Sequence, residues 1–196
     1  MPRVTALKPD RAERDVVVEL DGAAWRRLPV DVAVRAGLAP GVELGRPQLR
    51  QLRRELRRAE ALGVATRALR HRDRSRDALR ARLRAAGIAS AACEDALETL
   101  ARAGLVDDER FAHARASALA KRGSGDELIR ADLAAAGVPA EVASAAVGAL
   151  EPESERAAAL VTARGESIAT ARFLARRGFS AEAIEAAMPT LVAGDG

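Results

Sequence analysis

Three stretches decide the fold when set beneath one another: RDALRARLRAAGI (Arg76–Ile88), DELIRADLAAAGV (Asp126–Val138) and SIATARFLARRGF (Ser167–Phe179). Aligned on Gly87, Gly137 and Gly178, the position four before the glycine is Leu83, Leu133 or Leu174, and the one after it is Ile88, Val138 or Phe179. Ten residues beyond the glycine stand Leu97, Val147 and Met188, and thirteen beyond stand Leu100, Leu150 and Leu191. Eight before come Leu79, Ile129 and Thr170, where the third copy departs. Apolar residues at three- and four-residue steps on either side of each glycine predict two helices. The glycine between them reads as a C-cap, because the left-handed conformation that closes a helix is least costly without a Cβ.

A third helix follows the first two copies, as DDERFAHARASALAKR from Asp107 and PESERAAALVTAR from Pro152. Asp107 is a predicted N-cap, acids fill the first turn where the helix end is positive, and Pro152 suits a first-turn position. Ser124 to Glu127 spells an S-x-x-E capping box. Only VAGDG follows Leu191, so the third copy lacks a third helix, and the glycines are spaced 50 and then 41 residues apart. The predicted fold is mainly α, an elongated array of tandem three-helix repeats in which each unit buries its apolar face against its neighbours.

A different pattern precedes the repeats. RDVVVELDGAAWRRL (Arg14–Leu28) runs β-branched residues up to Asp21-Gly22, a two-residue hairpin signal, and Val4–Leu7 offers a third strand. A short helix from Pro29 ends at Gly37, and APGVELGRP follows as turn. The result is a small cap containing a β-hairpin. From Pro47 the period becomes helical, with Leu49, Leu52, Leu56 and Ala59 on one side and Arg50, Arg53, Arg54, Arg57 and Arg58 on the others. Gly63 leaves open one helix to about His71 or two shorter ones. The predicted divisions are a cap at 1–45, a basic helical segment at 46–74, repeats at 75–123 and 124–165, and a truncated third repeat at 166–196.

Composition agrees with a helical protein: of 196 residues 48% are hydrophobic, enough for a core, while only 2% are aromatic. No run of 18 apolar residues exists and the N-terminus has no apolar signal region, so a soluble, cytoplasmic protein without membrane association is expected, and a monomer. The single cysteine, Cys93, falls on an apolar helix face and reads as a small core residue.

Charge is segregated. From Arg46 to Arg84 fourteen arginines face Glu55, Glu60, Asp73 and Asp77, a local charge of +10 in a chain whose total is +4, which leaves −6 elsewhere. Such a stripe suits a polyanion or an acidic protein surface. Only Lys8 and Lys121 are lysines, so arginine identity carries less weight than arginine position. Arg76, Arg80 and Arg84 fall at four-residue steps, but the aligned residues are Asp126, Arg130 and Ala134, then Ser167, Ala171 and Ala175. The repeat does not require this basic ridge. A solvated helix face held by Asp/Arg pairs is the competing reading. The pool of candidate contacts is Arg53, Arg54, Arg57, Arg58, Arg70, Arg72, Arg74, Arg76, Arg80, Arg82 and Arg84, and the candidate structural caps are Gly87, Gly137, Gly178 and Asp107.

No catalytic residue, metal ligand or cofactor is assigned. Asp107, Asp108 and Glu109 are explained by capping and the helix dipole, His71 and His113 lack partners at ligand or catalytic spacing, and no phosphate-binding G-x-x-x-x-G-K-[ST] loop is present. Phe111 and Phe179 read as core anchors.

The segments SRDALRARLRAAGI, LARAGLVDDERFAHARASALAKRGSG and IRADLAAAGV resemble the tandem repeats of the RecX family, bacterial regulators of the recombinase RecA. GLVDDERFA (Gly104–Ala112) is the most specific piece, similar to the family's G-[YL]-[LI]-D-D-x-x-F-A, with Leu105-Val106 a mild departure. The likeness runs from about Val4 to Leu150 and weakens in the third repeat. It implies a non-enzymatic protein that lodges in the groove of the RecA nucleoprotein filament, restrains strand exchange, ATP hydrolysis and filament growth in DNA repair and the SOS response, and binds single- or double-stranded DNA more weakly. A stand-alone helical nucleic-acid-binding protein is the alternative.

Overall fold

The structure is a computed structural model and describes residues 1–10 and 14–189. They form two compact units: one holds Met1–Arg70 with Arg82–Thr99, the other His71–Ala81 and the chain from Leu100 on. The fold is mainly α, with a small three-stranded antiparallel sheet at the N-terminus.

In the first unit, β1 (Val4–Pro9), β2 (Asp15–Leu20) and β3 (Ala23–Pro29) pair in sequence order. The β2–β3 turn places Asp21 at φ 47° and Gly22 at φ 83°, the pair of positive angles that a type I′ hairpin needs. The turn is tied to the start of the chain, since Asp21 Oδ1 accepts from Arg3 N–H and Thr5 Oγ1 accepts from Gly22 N–H, each at 3.0 Å. Alternation in the strands turns Val4, Val18 and Leu28 inward, and α1 (Val30–Arg35) adds Val32 and Ala33 to the same core. Trp25 stays exposed on β3. One continuous helix, α2 (Arg46–Leu69), runs through Gly63 and closes this core with Leu52, Leu56 and Ala59.

The helices α3 (Arg76–Ala85), α4 (Ser90–Arg102), α5 (Asp108–Ala120), α6 (Asp126–Ala135), α7 (Ala140–Gly148), α8 (Glu153–Arg164), α9 (Ile168–Arg176) and α10 (Ala181–Ala187) follow. The aligned apolar positions are interior: Leu79, Leu83, Leu97, Ile129, Leu133 and Leu174 are fully buried, and Thr170, the departure in the third copy, is buried with its hydroxyl donating to Gly165 C=O at 2.8 Å. Leu191 lies outside the described residues. Gly87, Gly137 and Gly178 have φ of 77°, 75° and 79°, and the residue after each donates back to Leu83, Leu133 or Leu174, the double bond pattern of a glycine helix stop.

Two buried clusters group the helices one step out of phase with the glycine-centred copies. The first joins Ala112 and Ala116 of α5 to Ile129 and Leu133 of α6 and Ala146 and Val147 of α7. The second joins Ala157 and Val161 of α8 to Leu174 of α9, Phe179 and Met188. The helix that follows a copy in sequence therefore packs as the first member of the next triplet, and α8, α9 and α10 make a full three-helix core. Phe111 is half-buried against the first cluster.

In the second unit the start of one copy's first helix meets the glycine turn of the next copy. Ser75 Oγ donates to Ala136 C=O just before Gly137, and Arg76 N–H donates to Asp108 Oδ1 at 2.7 Å. One copy later, Gly125 N–H donates to Arg177 C=O just before Gly178, Glu127 N–H donates to Gly178 C=O, and Asp126 N–H donates to Glu153 Oε1 at 2.6 Å. The capping box read at Ser124–Glu127 is not formed: the N-cap of α6 is Gly125, without a side-chain bond, and Ser124 is buried. Glu153, from α8, supplies the acceptor instead. Backbone contact at this seam explains Gly125, because a Cβ there would overlap the carbonyl of Gly178.

Candidate functional site

Helix α2 carries its charge in a stripe. Arg50, Arg53, Arg54 and Arg57 follow the i, i+3, i+4, i+7 pattern of one helical face, opposite Leu52 and Leu56. These four exposed guanidinium side chains line a groove of about 420 Å³ whose other wall is Ala89, Ala91, Ala92 and Asp95, at the start of α4. The first turn of α4 holds no acidic residue, so its N–H dipoles add to the positive field rather than being neutralised. Asp95 is the one carboxylate on that wall.

The stripe has few internal partners. Arg54 donates to Gln51 Oε1 at 2.5 Å and lies 3.8 Å from the buried carboxylate of Glu55, which also accepts from Gln51 Nε2 at 3.3 Å. Arg50, Arg53 and Arg57 make no ion pair among the described residues. Like charges three and four residues apart oppose the helix by a few tenths of a kcal/mol per pair, roughly. The apolar face of α2, fixed in the core of the first unit, holds them together. The small side chains of Ala89, Ala91 and Ala92 leave the facing wall open, and the arrangement can accept an anionic chain, either acidic side chains or phosphodiesters.

The arginines read from sequence divide by environment. Arg53, Arg54 and Arg57 come together in the groove. Arg58 turns toward α4, where Nη2 donates to Thr99 Oγ1 at 3.0 Å and Nε is buried without a hydrogen-bond partner among the described residues. It ties two helices together and does not line the groove. Arg70, Arg82 and Arg84 are exposed in the first unit, while Arg72 in the second is exposed and Arg74, Arg76 and Arg80 there are half-buried, Arg80 pairing with Asp77. Arg50 was missed by the sequence pool, although the helical step that selects Arg53, Arg54 and Arg57 also selects it. Asp107 caps α5 by accepting from Arg110 N–H at 2.9 Å.

Cys93 is buried, no group of three or more His, Cys, Asp or Glu side chains able to hold a metal occurs among the described residues, and no described helix is long and apolar enough to cross a membrane. Two carboxylates of the second unit titrate low. A hydrogen bond from Arg115 holds the pKa of Asp132 below the ordinary carboxylate range, against partial burial and with help from the Arg115 charge. Burial works to raise that of Glu153, but hydrogen bonds from Ser180 Oγ and from the N–H groups of Asp126 and Ser180, with the Arg156 charge, outweigh it and leave it lowered. Both belong to the helix scaffold of the second unit.

The chain is 38% identical over 133 residues to the regulatory protein RecX of Chromohalobacter salexigens, an overlap that takes in 63% of this chain and 88% of that relative. The chain belongs to the RecX family. The regulatory protein RecX of Thermus thermophilus is 39% identical over 126 residues, covering 62% of this chain and 84% of the relative. The family model for RecX, second three-helix domain, matches residues 107–147, the span of α5, α6 and α7 that shares one buried cluster. Among solved structures, a crystal structure of regulatory protein RecX superposes with a TM-score of 0.82 over 95% of this chain and 98% of that one at 18% identity. RecX from Lactobacillus salivarius gives 0.62 over 70% and 97% at 17% identity. At these identities the structural likeness speaks for the RecX fold alone.

Proposed function

We propose that this RecX-family chain binds the RecA nucleoprotein filament and restrains its recombinase and ATPase activity, as a regulator without chemistry of its own. The observation that carries this is the groove in which Arg50, Arg53, Arg54 and Arg57 face the start of α4, whose first turn holds no acid and whose wall carries the single carboxylate of Asp95, in a chain whose relatives are named regulatory proteins. Acidic side chains on a RecA protomer fit such a groove, and Arg70, Arg82 and Arg84 of the same unit are exposed to extend the contact. The arginines of the sequence pool that are exposed in the first unit belong to the same proposal. The test is RecA ATPase on single-stranded DNA with increasing amounts of this protein. Inhibition by the native protein and its loss in an Arg53→Glu/Arg57→Glu variant are expected; no inhibition at any ratio sinks the proposal.

A second reading, direct binding of naked nucleic acid, rests on the same stripe, because guanidinium groups suit phosphates as well as carboxylates. It requires affinity for bare single-stranded DNA that falls steeply with salt, each lost phosphate contact lowering the log–log slope by about one unit. A flat salt response excludes it, and stronger cosedimentation with RecA filaments than with bare DNA decides for the filament.

A further inference from the structure

The two seams of the second unit show what covers the start of a helix that leads into a glycine turn. Ser75 and Gly125, each twelve residues before its glycine, are buried because the Ala136–Gly137 and Arg177–Gly178 turns of the following copy lie on them. The contact is close: a Cβ on Gly137 would come within 2.6 Å of Asp77 Cβ, and one on Gly178 within 2.6 Å of Leu128 N. The same position in the third copy is Glu166, and it is exposed, as are all residues from Thr162 to Ala169. Ile168, a large apolar side chain, is 61% exposed there.

The surface that covers such a start also occurs once uncovered. Ala86 and Gly87 are exposed, whereas their counterparts Ala136 with Gly137 and Arg177 with Gly178 are half-buried. A Cβ on Gly87 would meet nothing within 4 Å among the described residues. One difference between the internal seams and these two ends is matched on both sides. At each seam an acid from the helix just before the one that leads into the next glycine turn, Asp108 of α5 before α6 or Glu153 of α8 before α9, accepts a first-turn N–H. The helix preceding α3 is α2, whose first turn holds no acid. The start of α9 does not call for one, because Ser167 Oγ already accepts from Thr170 N–H.

We propose that a second copy of this chain docks its Ala86–Gly87 turn on the Gly165–Ile168 segment of the first, head to tail. By analogy with the seam at Gly125 and Gly178, Ile168 N–H would donate to Gly87 C=O, while the Ile168 side chain leaves water. Arg82 and Arg84 in the last turn of α3 bring positive charge toward Glu166. The two surfaces differ, so the contact is heterologous and leaves one of each free after every addition. It lacks the high effective concentration of the covalently linked seams and is correspondingly weak.

Sedimentation velocity over a concentration series tests this on the full chain without RecA or DNA, so its failure is distinct from failure of the filament reading. The average mass is expected to rise with concentration, and Ile168→Glu, at an exposed site, to weaken the association about tenfold or more. Variants with one added cysteine, Ala86→Cys and Ile168→Cys, give the second measurement. Under mild oxidation the mixture is expected to form a disulfide-linked dimer that neither variant forms alone, and buried Cys93 does not compete. A constant monomer mass together with no mixed disulfide overturns the proposal, as does equal cross-linking of either variant with itself.

Discussion

The arginines of α2 and those of the second unit are the same residue put to opposite uses. Arg156 is nearly engulfed, its side chain 9% exposed: it bonds the Asp126 carboxylate, donates to the carbonyls of Ser124 and Glu151 at 2.9 Å each, and lies 5.8 Å over the Phe179 ring. Arg177 donates to the carbonyls of Gly123 and Arg122 at the close of α5. These two guanidinium groups are internal joints between copies. Arg50, Arg53 and Arg57 hold nothing together and face an open groove. Whether a cation serves the scaffold or a partner is decided by which acceptors lie within its reach, and a count of arginines does not distinguish the two.

The sharpest way to break that contrast is to remove one arginine of each kind. Arg156→Ala takes the donor from two carbonyls and leaves the partly buried Asp126 carboxylate with Arg130, at 3.3 Å, as its remaining cation, and is expected to lower unfolding free energy by about 3 kcal/mol in a denaturant titration. Gly125→Ala follows closely, at about 2 kcal/mol or more, because the backbone of Gly178 leaves no room for a methyl group. Acid sharpens the picture. Glu153 and Asp132 have folded pKa values below their unfolded ones, so their contribution is complete above the ordinary carboxylate value of about 4 and is lost as pH falls through the lower folded values. Thermal melts at stepped pH should therefore show stability falling below about pH 4, with Glu153→Gln less stable at neutral pH and its difference from the native protein narrowing in acid. Arg115→Ala, at a surface pair with Asp132, should cost about 0.5 kcal/mol. Smallest of all, Arg53→Ala and Arg57→Ala should leave the unfolding midpoint within about 0.5 kcal/mol of native, while weakening the inhibition of RecA that we propose. Destabilisation by Arg53→Ala as large as that by Arg156→Ala would erase the distinction.

What the residue pattern made legible is local. Leu83, Leu133 and Leu174 are interior because each lies on the apolar stripe of its own helix, a spacing of three and four that needs no knowledge of the neighbour. The hairpin at Asp21-Gly22 is equally local, since both angles are demanded by two adjacent residues. The phase of the triplets was not legible, because α5 and α8 have apolar faces that could pack backward or forward along the chain, and only tertiary contact chooses. The cap of α6 failed to follow the S-x-x-E pattern for a related reason: the two N–H groups the box would use go to main-chain carbonyls instead, that of Glu127 to Gly178 and that of Ser124 to Leu119. Within the candidate site, the basic character of α2 was plain. Its membership shifted by one residue at each end, with Arg50 gained and Arg58 lost to Thr99, because the position of α4 decides which side of α2 is open.

The meeting of Gly125 with Gly178 has a consequence for how this fold tolerates change. Where main chain rests directly on main chain, the interval between adjoining helices is set by the thickness of the peptide itself, and no choice of side chains can lengthen or shorten it. Substitutions inside each three-helix core can trade volume with one another, but the step from α6 to α9 stays put, as a ruler does when the objects laid along it are exchanged.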